Sequence, residues 1–264
     1  MQRLLDKNPQ RERRRQERLL LVLERRFAGR FAREIAAEMR RMSEYLEITG
    51  EVPSPDNRHL ERMMKIETDL AEAATQAFGG RIIQQGKNAG LLIETKFDFT
   101  AFFTRTALDY VANEVIRRRI TSIAETTRGQ VVDQVTRGFK EGLGVAEIAK
   151  SVLEAAPQIA KWRGATIART ETHGAANNGA DAAARETGLV LNKEWIAVKD
   201  SRTRDPHAAA DGQVVGMDNT FDVGGESLRY PGDPNGSAGN VINCRCALGH
   251  IVVDPFIAEL DADS

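Results

Sequence analysis

A chain of 264 residues with 41% hydrophobic and 28% charged residues has an ordinary apolar fraction and no short fixed repeat, which excludes collagen-like, mucin-like and wholly disordered readings. At that length it holds one large domain or two modest ones. The formal net charge of -1 hides an asymmetry: residues 1–41 carry 13 Arg or Lys against 6 Asp or Glu, whereas residues 185–264 carry 7 against 13, so the two ends favour different partners.

From about Gln10 to Tyr45, Leu20, Leu23, Phe27, Phe31, Ile35, Met39 and Met42 recur every three or four residues, the stripe of a long amphipathic helix. A helical arm of this kind can bury its stripe only against other helices or a partner. Gly50 to Pro55 breaks it, and Ser54 or Asp56 can cap the next start. Helical spacing resumes from about Arg58 to Gln85, pauses at Gly86 to Gly90, and runs again from about Thr100 to Arg128. Gly142-Leu143-Gly144 reads as a terminus, followed by a short helix from Val145 to Ala155 that Ala156-Pro157 ends. An Ala-rich helix is expected from about Gln158 to Glu186, with Gly188 as its cap.

After Gly188 the texture changes. Strands are expected at Leu189–Val198, 213–215, 220–223, 227–230 and Val241–Leu248, joined by Asp-Gly, Gly-Gly and Pro-Gly turns. The predicted class is α+β: an extended, mostly helical N-terminal region followed by a small loop-rich α+β C-terminal domain. The division expected is a helical assembly region at 1–157, a compact domain at 158–255 and an acidic tail at 256–264. The longest apolar run, Leu19 to Leu23, falls far short of the ~20 residues that cross a bilayer, and the basic start lacks the apolar core of a secretory signal. Two cysteines one residue apart, Cys244 and Cys246, cannot staple such a chain, which points to a reducing compartment.

Unusual chemistry concentrates in the last hundred residues. In a strand, Cys244 and Cys246 project from one face and can reach one ion, with His207 as the natural third ligand and Asp211, His250 or His173 as a fourth; such a sulfur and nitrogen set favours a structural zinc. Equally, Ile242, Cys244, Cys246 and Leu248 make an alternating apolar face of a core strand. Asp200, Arg202, Arg204 and Asp205 form a turn that arginine forks can brace. Asp211-Gly212 and Pro231-Gly232-Asp233-Pro234 are tight turns, and Asn240 and Asn243 suit bonds to nearby backbone. Glu171 reads as solvated or Arg-paired. Arg11, Arg13, Arg14, Arg15 and Arg18 on the first helix can neutralise phosphates of DNA, or form a solvated face or a dock for an acidic protein.

Several of these residues also occur as an ordered set. Ala168-Arg-Thr-Glu-Thr172 and Asn177 precede Trp195, Asp200-Ser-Arg202-Thr-Arg204, His207 four residues before Asp211-Gly212, the Pro-Gly-Asp loop, and Asn243-Cys-Arg245-Cys. This array, over roughly residues 160–253, resembles the phage Mu F-like head-morphogenesis family of minor capsid proteins. Ala208-Ala209-Ala210 departs from the larger apolar residue that family prefers before Asp-Gly, which predicts looser packing beneath the turn. The resemblance implies a structural component of the procapsid interior with no catalytic residues, associated with portal, coat or scaffold proteins and with packaged DNA as a further partner. Its expected places are the virion and, during assembly, the host cytoplasm. The other readings are a metal-dependent hydrolase, in which a His, Cys, Cys site activates water and Glu171 or Glu194 moves the proton, and a non-specific DNA-binding protein. No Walker loop, dinucleotide glycine motif, Gly-x-Ser-x-Gly or His-Glu-x-x-His stands in the sequence.

Overall fold

The computed structural model describes residues 2–3, 8–88 and 98–253. The acidic tail expected at 256–264 and residues 89–90 of the expected pause lie outside the described residues; residues 86–88, the start of the pause expected at Gly86 to Gly90, are instead still helical, in the helix Asn57–Asn88. Five helices come first after a two-residue strand: β1 (Gln2–Arg3), α1 (Pro9–Thr49), α2 (Asn57–Asn88), α3 (Phe99–Ala112), α4 (Glu114–Lys140) and α5 (Val145–Glu186). The remainder is β2 (Leu191–Ile196), α6 (Asp205–Ala210), β3 (Val214–Gly216), β4 (Phe221–Val223), β5 (Glu226–Leu228), α7 (Ala238–Val241) and β6 (Ala247–Val252). The class is α+β, as predicted, with a long helical N-terminal region and few antiparallel strands at the end.

The chain divides into two compact units, one of residues 1–23, 70–110 and 169–264, the other of residues 24–69 and 111–168. In the second unit, Phe27, Phe31, Ile35, Met39 and Met42 are all fully buried, so this part of the α1 stripe is taken up within the chain. Leu46, Ile148 and Ala149 form a smaller cluster with Val52, Val135, Leu143 and Val145 around them. Ser43 donates to the Ala149 carbonyl at 2.8 Å, tying α1 to α5, and Arg163 donates to the Ile123 carbonyl at 2.8 Å, tying α5 to α4.

Two helical expectations need correction here. The run expected from Thr100 to Arg128 is two helices, because Asn113 leaves helical geometry and its side chain accepts from the Val115 N–H at 2.9 Å, a local bond that competes with helix continuation. Pro157 does not end a helix: α5 passes through it. The proline removes one backbone donor, but Ala156 and Ala160 flank it as buried positions of the best helix former, and packing outweighs the missing bond. Gly188, at φ +68°, does end α5 as expected.

In the first unit, β1, β6, β2 and β3 form one antiparallel sheet in that order, and β4 pairs with β5 in a second ladder. Trp195 lies opposite Leu248, and Lys193 opposite His250. A cluster of Trp195, Ala197, Ala210, Phe221, Val223, Leu228, Tyr230, Cys244, Cys246 and Leu248 forms the core here. The second part of α5 and a stretch of α2 pack at glycine: a Cβ on Gly179 would stand 2.6 Å from the Thr75 Cα, so only glycine permits that approach. The strand expected at Val241–Leu248 is displaced. Residues 238–241 are α7, 244–246 are a connecting segment, and β6 starts at Ala247.

Candidate functional site

His207 is set on α6, a helix begun by Arg204 as N-cap with Pro206 in its first turn, which presets φ where no backbone donor is needed. Cys244 and Cys246 precede β6, and all three residues are buried. His207 Nδ1 lies 3.3 Å from Cys246 Sγ and 3.8 Å from Cys244 Sγ, and one ligand atom from each residue falls within 4.8 Å of the others. Both thiols are free. The Cys244 thiol is held well below its ordinary value, first by the hydrogen bond from Cys246 and then by His207, while Cys246 is pushed up by Cys244 and by burial. Trp195 stacks edge-on against His207 at 5.6 Å and against Phe221 at 5.5 Å, closing one side of the group with aromatic surface.

The sequence brought these three together for an incomplete reason. The cysteines converge from an irregular segment, not from a strand, and Ile242 is exposed, so the alternating apolar face of Ile242, Cys244, Cys246 and Leu248 does not form. Asp211, His250 and His173 do not join the trio within that radius. Asp211 is committed elsewhere: its carboxylate accepts from the Ala197 N–H at 2.8 Å and pairs with Lys199 at 3.1 Å. Glu194 follows Lys193 and precedes Trp195 in β2, so strand alternation aims it at the sheet face opposite the one Trp195 shares with His207. Glu171 is buried on α5 at 1% exposure, which corrects the solvated alternative read from the sequence.

Around the trio the turns are braced. Asp200 accepts from both terminal nitrogens of Arg245 at 2.6 and 2.7 Å and from the Arg202 N–H at 3.0 Å; the Arg245 guanidinium holds the Asp200 carboxyl far below its usual range. The fork on Asp200 thus comes from the Cys-Arg-Cys segment and not from within the Asp-x-Arg-x-Arg turn. Arg202 is exposed and 3.7 Å from Asp200, and Arg204 donates to the Ile242 carbonyl. Gly212, at φ +81°, turns back so that its N–H donates to the Trp195 carbonyl at 2.9 Å. Ala210 is fully buried beneath this turn.

The Pro-Gly-Asp loop is fixed by Asp233, buried and accepting from the Arg229 N–H at 2.9 Å and the Asn235 N–H at 3.1 Å. Gly232, at φ +81°, lies against Gly174 of α5. Asn240 donates to the Val223 carbonyl at 3.1 Å, the backbone bond expected of it. Asn243 adopts φ +56°; its own N–H donates to Thr170 Oγ1 at 3.1 Å and its side-chain oxygen accepts from Arg169 at 3.3 Å. Asn177 bridges the Pro231 carbonyl and the Leu248 N–H, joining α5 to loop and sheet. Sequence reasoning included Thr170 in the Ala168–Thr172 motif without giving it a role, and gave none to Tyr230, whose hydroxyl donates to Asn178 at 3.1 Å. It missed Lys193, buried 4.0 Å from Asp181 with its ammonium over the Phe221 ring. Burial in an apolar strand pushes the Lys193 ammonium below its ordinary value.

That bracing falls on the ordered motifs, and comparison with known proteins covers the same stretch. Residues 129–249 match the family described as Phage Mu protein F like protein. The Mu F-like stretch starts within α4, earlier than the motifs alone reach. Over 149 residues the chain is 28% identical to the minor head protein GP7 of Bacillus phage SPP1, covering 54% of this chain and 48% of that protein. It is 31% identical over 157 residues to the NAD(+)--arginine ADP-ribosyltransferase EFV of Enterococcus faecalis (strain ATCC 700802 / V583), covering 58% of this chain and 32% of that protein. It is also 28% identical over 140 residues to the uncharacterized protein YqbB of Bacillus subtilis (strain 168), covering 51% of this chain and 46% of that protein. The chain therefore spans half or less of the length of these curated relatives. No solved structure matches it.

On the first helix, Arg11, Arg14, Arg15 and Arg18 are exposed at positions that share one helix face, opposite buried Glu12, Gln16 and Leu20. Arg13 is half-buried and pairs with Glu17 at 3.0 Å, so it leaves the arginine face. Among the described residues no helix is long and apolar enough to cross a membrane.

Proposed function

We propose that the chain is a phage or prophage minor head protein, a structural component of head morphogenesis that lies in the procapsid interior and meets portal, coat or scaffold proteins during assembly in the host cytoplasm. The observation that carries this is the similarity to the SPP1 minor head protein together with the Mu F-like match at 129–249. Residues 158–255 act as the head-morphogenesis module and residues 1–157 as the assembly region. The motif residues do not need a substrate pocket to account for them: Asp200, Arg245, Asp233, Asn240 and Asn177 are each spent on holding loops to helix and sheet. Because the stripe of α1 is already buried within the chain, partner contacts fall to exposed side chains.

Co-expression with the portal and coat genes of its own neighbourhood tests the reading. Stoichiometric co-purification with one of them supports it, and a chain that stays free of every virion component through infection overturns it. The transferase name belongs to a protein of which this chain matches 32%, so we assign that activity to the remainder of that protein. Incubation with NAD+ and an arginine acceptor then leaves the acceptor unmodified.

A second reading rests on the exposed arginine face. Arg11, Arg14, Arg15 and Arg18 contact packaged DNA through phosphates alone, giving an affinity that falls with salt and ignores sequence. Replacing the four with Gln removes up to four counterion-releasing contacts, which lowers the slope of log K against log salt by about 0.9 per contact. An unchanged slope eliminates DNA contact at this face.

A further inference from the structure

We propose that His207, Cys244 and Cys246 bind one zinc ion, which pins α6 to the segment leading into β6. The site stands on geometry independent of the assembly role, and its test reads metal, not assembly.

Distance is the first argument. Zinc bound at about 2.3 Å by sulfur and about 2.0–2.1 Å by nitrogen in a tetrahedral arrangement places those two atoms about 3.6 Å apart. The two nitrogen–sulfur separations here, 3.3 and 3.8 Å, bracket that value. A hydrogen bond accounts for only one of them, since Nδ1 carries one proton or one lone pair. A single cation between the three atoms accounts for both.

Charge is the second. Trp195, Ala197, Phe221 and Leu248 make this an apolar core, where an isolated charge is expensive. When zinc enters, each thiol releases its proton to solvent and its sulfur donates an electron pair to the ion. Two thiolates and one neutral imidazole around a dication sum to zero, so the loaded site can stay buried. The donor set also selects the ion: sulfur with imidazole nitrogen favours zinc over magnesium or calcium, which require oxygen.

The third argument is that no covalent bond claims the sulfurs. Both cysteines are free of disulfides, and both sulfurs face the same ring nitrogen of His207. His207 and Cys244 stand 37 positions apart in the chain. An ion joining them closes the whole β3–β5 region into a loop and removes that freedom from the unfolded chain.

The full chain, purified without chelator, is the material for the test. About one zinc per chain by mass spectrometry of the metal is expected, and refolding with cobalt in place of zinc gives a near-ultraviolet thiolate-to-cobalt band that falls to about half in Cys244→Ser and in Cys246→Ser. If those variants do not fold, the parent still decides: in the metal-loaded protein a thiol reagent modifies neither cysteine, and after a strong chelator it modifies both. A chain that carries no zinc and shows no cobalt–thiolate band overturns the proposal, as does thiol reactivity that a chelator leaves unchanged.

Discussion

Asp200 and Arg245, 45 positions apart in sequence, face each other as a two-pronged pair with Nη to Oδ distances of 2.6 and 2.7 Å. The pair clamps the Asp-x-Arg-x-Arg turn to the segment between the two cysteines. Arg245→Lys keeps the charge but loses the planar fork, so the thermal midpoint falls and trypsin cuts the turn sooner. The folded-state carboxyl titrates well below its ordinary value of 3.8, so its contribution is present above that pH and is lost as pH falls beneath it. The gap between parent and variant in urea midpoint therefore narrows below pH 3.8 and is widest near neutrality.

Phe221 is fully buried and stacks on Trp195. Phe221→Ala removes that ring from a core with no slack, at a cost of about 3–5 kcal/mol in urea unfolding. Trp195 is buried and Trp162 is exposed, so Trp162→Phe leaves Trp195 as the single emitter that reports the loss.

Two helical glycines make opposite predictions. Gly179→Ala drives a Cβ to 2.6 Å from the Thr75 Cα, backbone that cannot step aside, and destabilises by about 1–3 kcal/mol. Gly129 has nothing within 4 Å of the same atom, so Gly129→Ala raises stability by about 0.5–1 kcal/mol. Denaturant midpoints of the two variants on either side of the parent are the check.

His250 is buried opposite Lys193, and neither ring nitrogen has a hydrogen-bond partner among the described residues. Burial first, then the charges of Lys193 and Arg185, lower it from 6.5 to about 3. The folded state holds it neutral while the unfolded chain takes a proton from pH 6.5 downward, so stability is complete above 6.5 and declines between 6.5 and about 3. Over that window His250→Leu flattens the fall of unfolding free energy by up to about 1.4 kcal/mol per pH unit. An identical slope in parent and variant counts against a neutral buried imidazole.

The α1 stripe was legible because Phe27, Phe31, Ile35, Met39 and Met42 repeat at the helical period, and a period is a local property that burial later obeys. Pro157 was misread for the complementary reason: a local rule said stop, and packing of Ala156 and Ala160 overruled it. His207 and the cysteines were legible as chemistry, since few residue types gather soft ligands, but their geometry was not, because Cys244 and Cys246 reach one side through an irregular segment. The Asp200–Arg245 fork left no local trace. Either arginine of the nearby turn offered the same charge, and only the folded path of the chain makes Arg245 the partner.

The principal sheet ends on two stubs, β1 of two residues and β3 of three. Outer strands so brief offer an incoming chain only one or two free rungs, too few to template a growing ribbon. Molecules packed side by side at high local concentration can therefore touch without coalescing into fibres, and remain separable building blocks.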